Sequence, residues 1–313
     1  MTRYKTIATV LTLFFIGLAL SALLEQLTGR GVRGVVGDPS VLLAQINHAP
    51  QRVACMVPSV TETVFALEAI SQVVGVSDFC TYPPEVSEKP RLGGFFNPNF
   101  ERLTALEPDL IITQGLSENL TAFCRHQNTP LLHVEMSDVD TILQDTILLG
   151  DVLGRPERAR QLVFQLRQQL DHVRRTVAAC PRPTVFFSLY RTGGATTGLS
   201  TVGGDVYLSE LIELAGGRNV FHDLRQPYPQ VSKEALLKRQ PDVIIEPLAD
   251  SNLTAQERQQ RLDDWKTIGS LKCIETGRVY FPAEGSLLIP GPRLADAASL
   301  IAGLLHPEVA DEL

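Results

Sequence analysis

Glu101–Ile112, ERLTALEPDLII, occurs a second time in the chain as Glu234–Ile245, EALLKRQPDVII. In both copies a Glu opens a short helical run, Pro follows seven residues later, Asp eight, and then a run of aliphatics. Pro108 and Pro241 cannot continue a helix, so each run stops just before its proline. Asp109-Leu110-Ile111-Ile112 and Asp242-Val243-Ile244-Ile245 are short, continuous and β-branched, the pattern of a strand buried on both faces of a parallel sheet. Helix, tight turn and strand make an αβ unit. Two matching units far apart predict two similar α/β lobes.

Working outward, Asn99 and Ser232 stand as N-caps before the two repeat helices, which puts Glu101 and Glu234 at the second helical position. Between the copies, Ala159, Leu162, Val163, Leu166, Leu170, Val173 and Val177 recur at helical period after Pro156, predicting the longest helix of the chain as a connector. Strands are expected at 52–57, 73–76, 131–135, 184–190 and 278–282. Ser59 and Glu62 have capping-box spacing, as do Thr254 and Glu257. Ser117 is expected to cap a helix to Gln127, and a last helix is expected over 294–305.

The 313 residues allow two lobes, and 44% apolar with 20% charged residues describes a globular chain. A net charge of −7 gives no reason to expect nucleic acid. Arg3 and Lys5 precede an apolar run from Ile7 to Leu24, the pattern of a secretion signal or an uncleaved membrane anchor. The domain reading is a signal or anchor at 1–27, a flexible Gly-rich tether at 28–50, a first α/β lobe at 51–154, the connector at 155–180 and a second α/β lobe at 181–313. Five cysteines, Cys55, Cys80, Cys124, Cys180 and Cys273, show no CxxC spacing, and no histidine pair has metal-ligand spacing. No metal site, cofactor or catalytic constellation is expected, and the chain reads as no enzyme. The glycine-rich loop after Tyr190 lacks the ending of a phosphate-binding loop and reads as a binding or flexible segment.

Phe79, Tyr82, Phe95, Phe96, Tyr190 and Tyr228 fall in loops or at strand ends rather than on periodic helix faces. Such a set lines a cleft for a large flat ligand, beyond the carboxyl ends of the strands. Paired acidic tips at Glu101 and Glu234, one per lobe, suit a partner with two basic sockets.

Several stretches carry a family resemblance: Val57-Pro58-Ser59-Val60-Thr61-Glu62, Asp78 through Pro84, Asn99-Phe100-Glu101 with Glu107-Pro108-Asp109, Val202-Gly203-Gly204 through Phe221, Pro229-Gln230-Val231-Ser232 with Glu234, and Gly291-Pro292-Arg293. In that order the chain resembles the periplasmic substrate-binding proteins of ABC importers for cobalamin, haem and ferric siderophores. The resemblance implies two Rossmann-like lobes joined by a single long connector helix, with the ligand cleft between the lobes. It implies an extracytoplasmic, monomeric binding component that docks on an ABC permease through Glu101 and Glu234 and is anchored to the membrane if its N-terminal segment is uncleaved.

Within the family the loops are most similar to those of cobalamin binders. Their ligand-facing aromatics correspond to Phe79, Phe95 and Tyr228. The ligand-binding set implied is Ser59, Thr61, Phe79, Cys80, Phe95, Phe96, Tyr190, Arg191, Tyr228 and Arg293, with structural burial as the other role for Cys80. A ferric siderophore would call on arginines such as Arg191, Arg225 and Arg293. Haem would call on an axial Tyr228 or His222. From other classes, a chelatase would need convergent acidic or histidine groups, and an anchored sensor or scaffold would use the acidic tips without transport.

Overall fold

The computed structural model describes residues 48–115, 117–191, 198–248, 253–282 and 285–313. The N-terminal segment, all of the tether but its last three residues, and most of the glycine-rich loop lie outside the described residues. No helix among the described residues is long and apolar enough to cross a membrane. The described residues fall into two compact units, 48–167 with 289–292, and 168–288 with 293–313.

The first unit contains β1 (Val53–Cys55), α1 (Pro58–Ala66), β2 (Val73–Val76), α2 (Phe100–Leu106), β3 (Leu110–Gln114), α3 (Glu118–Gln127), β4 (Leu131–Val134) and α4 (Val139–Val152). Its sheet is parallel in the order β2-β1-β3-β4. Every residue of β3 is buried, as its unbroken aliphatic run requires. Asn99 caps α2 and Ser117 caps α3, each accepting from a backbone N–H in the first turn. Ser59 does not cap α1. Pro58 occupies the first turn, Val57 is the N-cap, and the Ser59 hydroxyl is engaged elsewhere.

The 21-residue α5 (Pro156–Thr176) is the longest helix among the described residues, and the division between units falls within it, after Arg167. The second unit continues with β5 (Thr184–Phe187), β6 (Leu199–Ser200), α6 (Tyr207–Leu214), β7 (Arg218–Asn219), β8 (Gln230–Val231), α7 (Lys233–Arg239), β9 (Val243–Ile245), α8 (Ala255–Lys266), α9 (Lys272–Glu275), β10 (Val279–Tyr280) and α10 (Leu294–Leu305). Its main sheet is parallel in the order β10-β9-β5-β7, and β6 and β8 form an antiparallel ribbon. The expected strand at 184–190 is shorter than its apolar run, and Arg218–Asn219 forms a strand beside β5.

Read from β2 or from β7, the two main sheets have the same connectivity: first strand, second strand on one side, third and fourth on the other. The repeat therefore occupies one topological position twice, as α2–β3 and α7–β9. Leu103 and Leu236 are its buried anchors, and Ile111 and Ile244 sit in the respective cores. Each repeat helix closes on a non-glycine residue at positive φ, Glu107 at 42° and Gln240 at 44°, before its proline.

The repeated Asp clamps the neighbouring strand. Asp109 accepts from the backbone N–H of Gln51 and Arg52 at 2.7 and 2.9 Å, just before β1. Asp242 accepts from the N–H and hydroxyl of Thr184 at the start of β5.

Candidate ligand-binding loops

In an open parallel sheet, ligands meet the loops beyond the carboxyl ends of the strands, where the connectivity reverses. In the first unit that point lies between β1 and β3. Ser59 Oγ donates to Gln114 Oε1 across it at 2.8 Å. Gln114 Nε2 in turn donates to the carbonyls of Glu135 and Met136 after β4. Asp145 holds the same turn, accepting from the N–H groups of Glu135 and Met136 at 2.7 and 2.9 Å. Burial pushes the Asp145 carboxyl up to about 6, against the pull of those two bonds, and nearby Glu135 and Asp138 add to the rise.

Ser59, Thr61 and Cys80 are enclosed, at 2%, 0% and 0% exposure. Cys80 Sγ lies 3.1 Å from Thr61 Oγ1 and 3.2 Å from Ser77 Oγ, and burial pushes its thiol up. These three side chains shape the loop from within. For Cys80 this is the structural alternative.

Two loops of the first unit are zipped together. Asp78 N–H donates to the Gly93 carbonyl and Gly93 N–H to Asp78 Oδ1, at 2.9 and 3.1 Å. The Phe79 ring lies so close to Gly94 that a Cβ there would come within 2.8 Å of it. Phe95 and Phe96 meet edge to face with centroids 4.9 Å apart, Phe95 nearly buried and Phe96 half exposed. Phe79 thus packs on the loop that carries the Phe95–Phe96 pair.

In the second unit the chain leaving β5 runs beside β6, where Ser200 N–H donates to the Tyr190 carbonyl at 2.8 Å, and Ser200 pairs with Gln230 of β8. Tyr190 and Tyr228 are carried on this ribbon. Tyr190 is exposed and Tyr228 half-buried, with burial pushing its hydroxyl up. Gly203 and Gly204 are needed because the 222–226 backbone passes close. A Cβ at either would sit about 2 Å from a carbonyl oxygen (2.0 Å from that of Gln226, 2.2 Å from that of His222). Asn219 Nδ2 ties the carbonyls of Val202 and Gly203 to this arrangement.

Arg191, expected among the ligand contacts, is held by acidic side chains of its own unit. Its guanidinium donates through Nε to both Glu246 oxygens (3.2 and 3.1 Å) and through Nη1 to Asp264 (3.1 Å), with Arg191 and Glu246 side chains only 6% and 8% exposed. Glu246 also accepts from Arg261 at 2.8 Å and from Trp265 Nε1 at 2.7 Å. This network follows β9 directly and fixes the base of the glycine-rich loop. Its acidic members went unnoticed in the sequence, although a Glu directly after a buried aliphatic strand was a visible signal. His222 Nδ1 lies 3.0 Å from the Asn219 carbonyl, Arg225 is exposed and Arg293 is half-buried.

Glu101 and Glu234 are exposed at the first turns of α2 and α7. The N–H of Glu234's own residue and the Ser232 hydroxyl hold the Glu234 carboxyl below its ordinary range.

Two units of identical parallel connectivity, each with its loops gathered at the carboxyl ends of the strands, define a two-unit α/β binding protein. A family model described as periplasmic binding protein matches residues 53–283, and the chain belongs to that family. The vitamin B12-binding protein of Yersinia pestis is 31% identical over 210 residues, covering 65% of this chain and 72% of the relative. The solved periplasmic vitamin B12 binding protein BtuF of Vibrio cholerae matches with a TM-score of 0.70 at 26% identity, over 84% of this chain and 99% of that one. A periplasmic haem binding protein from Pseudomonas aeruginosa matches with a TM-score of 0.70 at 24% identity, over 82% and 93% of the two chains, a likeness of fold alone.

Proposed function

We propose that this protein captures a cobalamin-like corrinoid outside the cytoplasm and hands it to an ABC permease. The observation that carries the reading is the aromatic loop pair, with Phe79 packed at Gly94 and the exposed Phe96 standing on the edge of Phe95, which suits a large, partly flat ligand. The relative named for vitamin B12 supports it. One finding weighs against a siderophore. Arg191, one of three arginines available to such an anion, is already paired with Glu246 and Asp264.

The acidic tips Glu101 and Glu234 are the permease contacts in this reading, and the binding component itself performs no chemistry. Calorimetric titration of the full-length chain with cyanocobalamin, haem and a ferric siderophore in parallel tests the proposal. Saturable binding of cyanocobalamin in preference to the other two is expected. Binding of haem or siderophore without cyanocobalamin would overturn the corrinoid assignment and leave the family intact.

A further inference from the structure

Cys180, His306 and Glu308 come together on the side of the second unit opposite its loops. Cys180 follows α5, and His306 and Glu308 follow α10. His306 and Glu308 border a 430 Å³ recess with Pro181, Pro183, Asp242 and Arg278, residues that precede β5, β9 and β10. One ligand atom from each of the three lies within 4.8 Å of the others. We propose that Cys180 Sγ, His306 Nδ1 and the Glu308 carboxylate form a binding site for a divalent transition metal of the zinc type.

The imidazole is the second, independent observation. His306 is 1% exposed, and its buried Nε2 has no hydrogen-bond partner among the described residues. Nε2 is buried against Gly216 and Val177, close enough that a Cβ at Gly216 would come within 2.7 Å of it. Nδ1 faces Glu308 at 3.7 Å, beyond hydrogen-bond distance. Nδ1 is therefore the nitrogen turned toward the other two donors, and a metal bound there leaves the ring proton on Nε2.

The other two ligands complete the donor set. Cys180 is half-buried, whereas the remaining four cysteines are buried. Its S–H faces the Glu308 carboxylate. Binding exchanges that proton for the metal: the S–H bond breaks, an S–metal bond forms and the proton leaves to solvent, with no change of oxidation state.

Sulfur, imidazole and carboxylate together select zinc-like ions over magnesium or calcium, and three protein ligands leave a fourth position for water. Tetrahedral zinc bonds place ligand atoms about 3.3–3.8 Å apart. Glu308, 56% exposed, and the single χ1 of Cys180 can close the remaining gap. The stations are firm. Cys180 N–H is bonded to the Val177 carbonyl at 3.0 Å, and His306 N–H to the Ala302 carbonyl at 2.8 Å. The cluster draws on residues far apart in sequence, which is why local ligand spacing shows no metal motif.

Cobalt(II) titration of the reduced full-length chain, followed by thiolate-to-cobalt charge-transfer absorption and back-titration with Zn²⁺, tests the site. One equivalent with that band is expected. Cys180→Ser should abolish the band, and Glu308→Gln should weaken cobalt binding at least about tenfold. Zn²⁺ should raise the thermal midpoint of the parent and leave that of Cys180→Ser unmoved. Absence of the band, its survival in Cys180→Ser, or equal affinity in Glu308→Gln would overturn the proposal. Neither substituted side chain is fully buried, and Trp265 emission verifies that the variants are folded.

Discussion

Asp242 Oδ2 accepts from both the backbone N–H and the hydroxyl of Thr184, at 3.0 and 2.8 Å, while its other oxygen meets Lys272 Nζ at 2.8 Å. Partial burial raises the Asp242 carboxyl, but the bonds from Lys272 and Thr184 outweigh it and hold the group at about 2. The unfolded group titrates near 3.8. A depressed folded value gives stability that is present above about pH 4 and is lost as pH falls toward 2. Asp242→Asn is expected to cost about 1–2 kcal/mol at pH 7 once solvent screening is allowed for, and progressively less between pH 4 and 2. Urea unfolding followed by emission of Trp265, in the same unit, measures both.

The buried pairing of Arg191 with Glu246 makes a harsher demand. Removing one partner strands the others in a site that excludes water. Glu246→Leu leaves Arg191 with Asp264 alone and the Trp265 N–H without its acceptor. A loss of about 3–5 kcal/mol is expected from denaturant unfolding, against less than about 1 kcal/mol for breaking the exposed Arg174–Asp171 pair with Asp171→Asn.

Asp145 gives the opposite pH dependence to Asp242. Its folded value, about 6, lies above its unfolded value near 3.8, so the native state binds the proton more tightly. Stability from this group therefore rises as pH falls from 7 to 4 and is lost on the way back. Between those limits the difference between parent and Asp145→Asn should change by on the order of 2–3 kcal/mol. Parallel denaturant titrations at pH 7, 6, 5 and 4 test it; a flat difference would contradict the assigned burial.

Phe96 is 51% exposed and its ring meets the edge of Phe95. Phe96→Ala should leave the thermal midpoint nearly unchanged. Loss of one aromatic contact, about 0.5–1.5 kcal/mol, should weaken cyanocobalamin about two- to tenfold by calorimetry. Unchanged affinity would remove Phe96 from the ligand surface.

Charge reversal at both tips, Glu101→Arg with Glu234→Arg, separates docking from capture. Affinity for cyanocobalamin should be unchanged, and uptake by cells dependent on this protein should be lost. Uptake that survives the double reversal would remove the docking role from both residues.

The parts of this fold legible in the sequence are those fixed locally. Pro108 and Pro241 stop their helices, Asn99, Ser117, Ser232 and Thr254 start theirs, and continuous aliphatic runs mark β3 and β9. Ser59 misled because Pro58 moves the helix start to Val57, and the hydroxyl is claimed by Gln114, distant in sequence. The fate of Arg191 was equally hidden, since Glu246 and Asp264 reach it only once β9 and α8 are in place. The aromatic loops were readable as a group, whereas the zipping of Asp78 to Gly93 that brings Phe79 onto the loop of Phe95 and Phe96 depends on the folded backbone.

The matching connectivity of the two sheets also bears on ancestry. A chain whose halves share strand order, a helix–strand segment and an aspartate tying the same neighbouring strand reads as a duplicated half-length gene. Common inheritance then accounts for what the halves retain, and divergence for what differs at equivalent places. The neutral Ser59–Gln114 bond and the ionic Arg191–Glu246 network each tie the segment after the first strand of a unit to the end of its third, and there the halves have parted in chemistry.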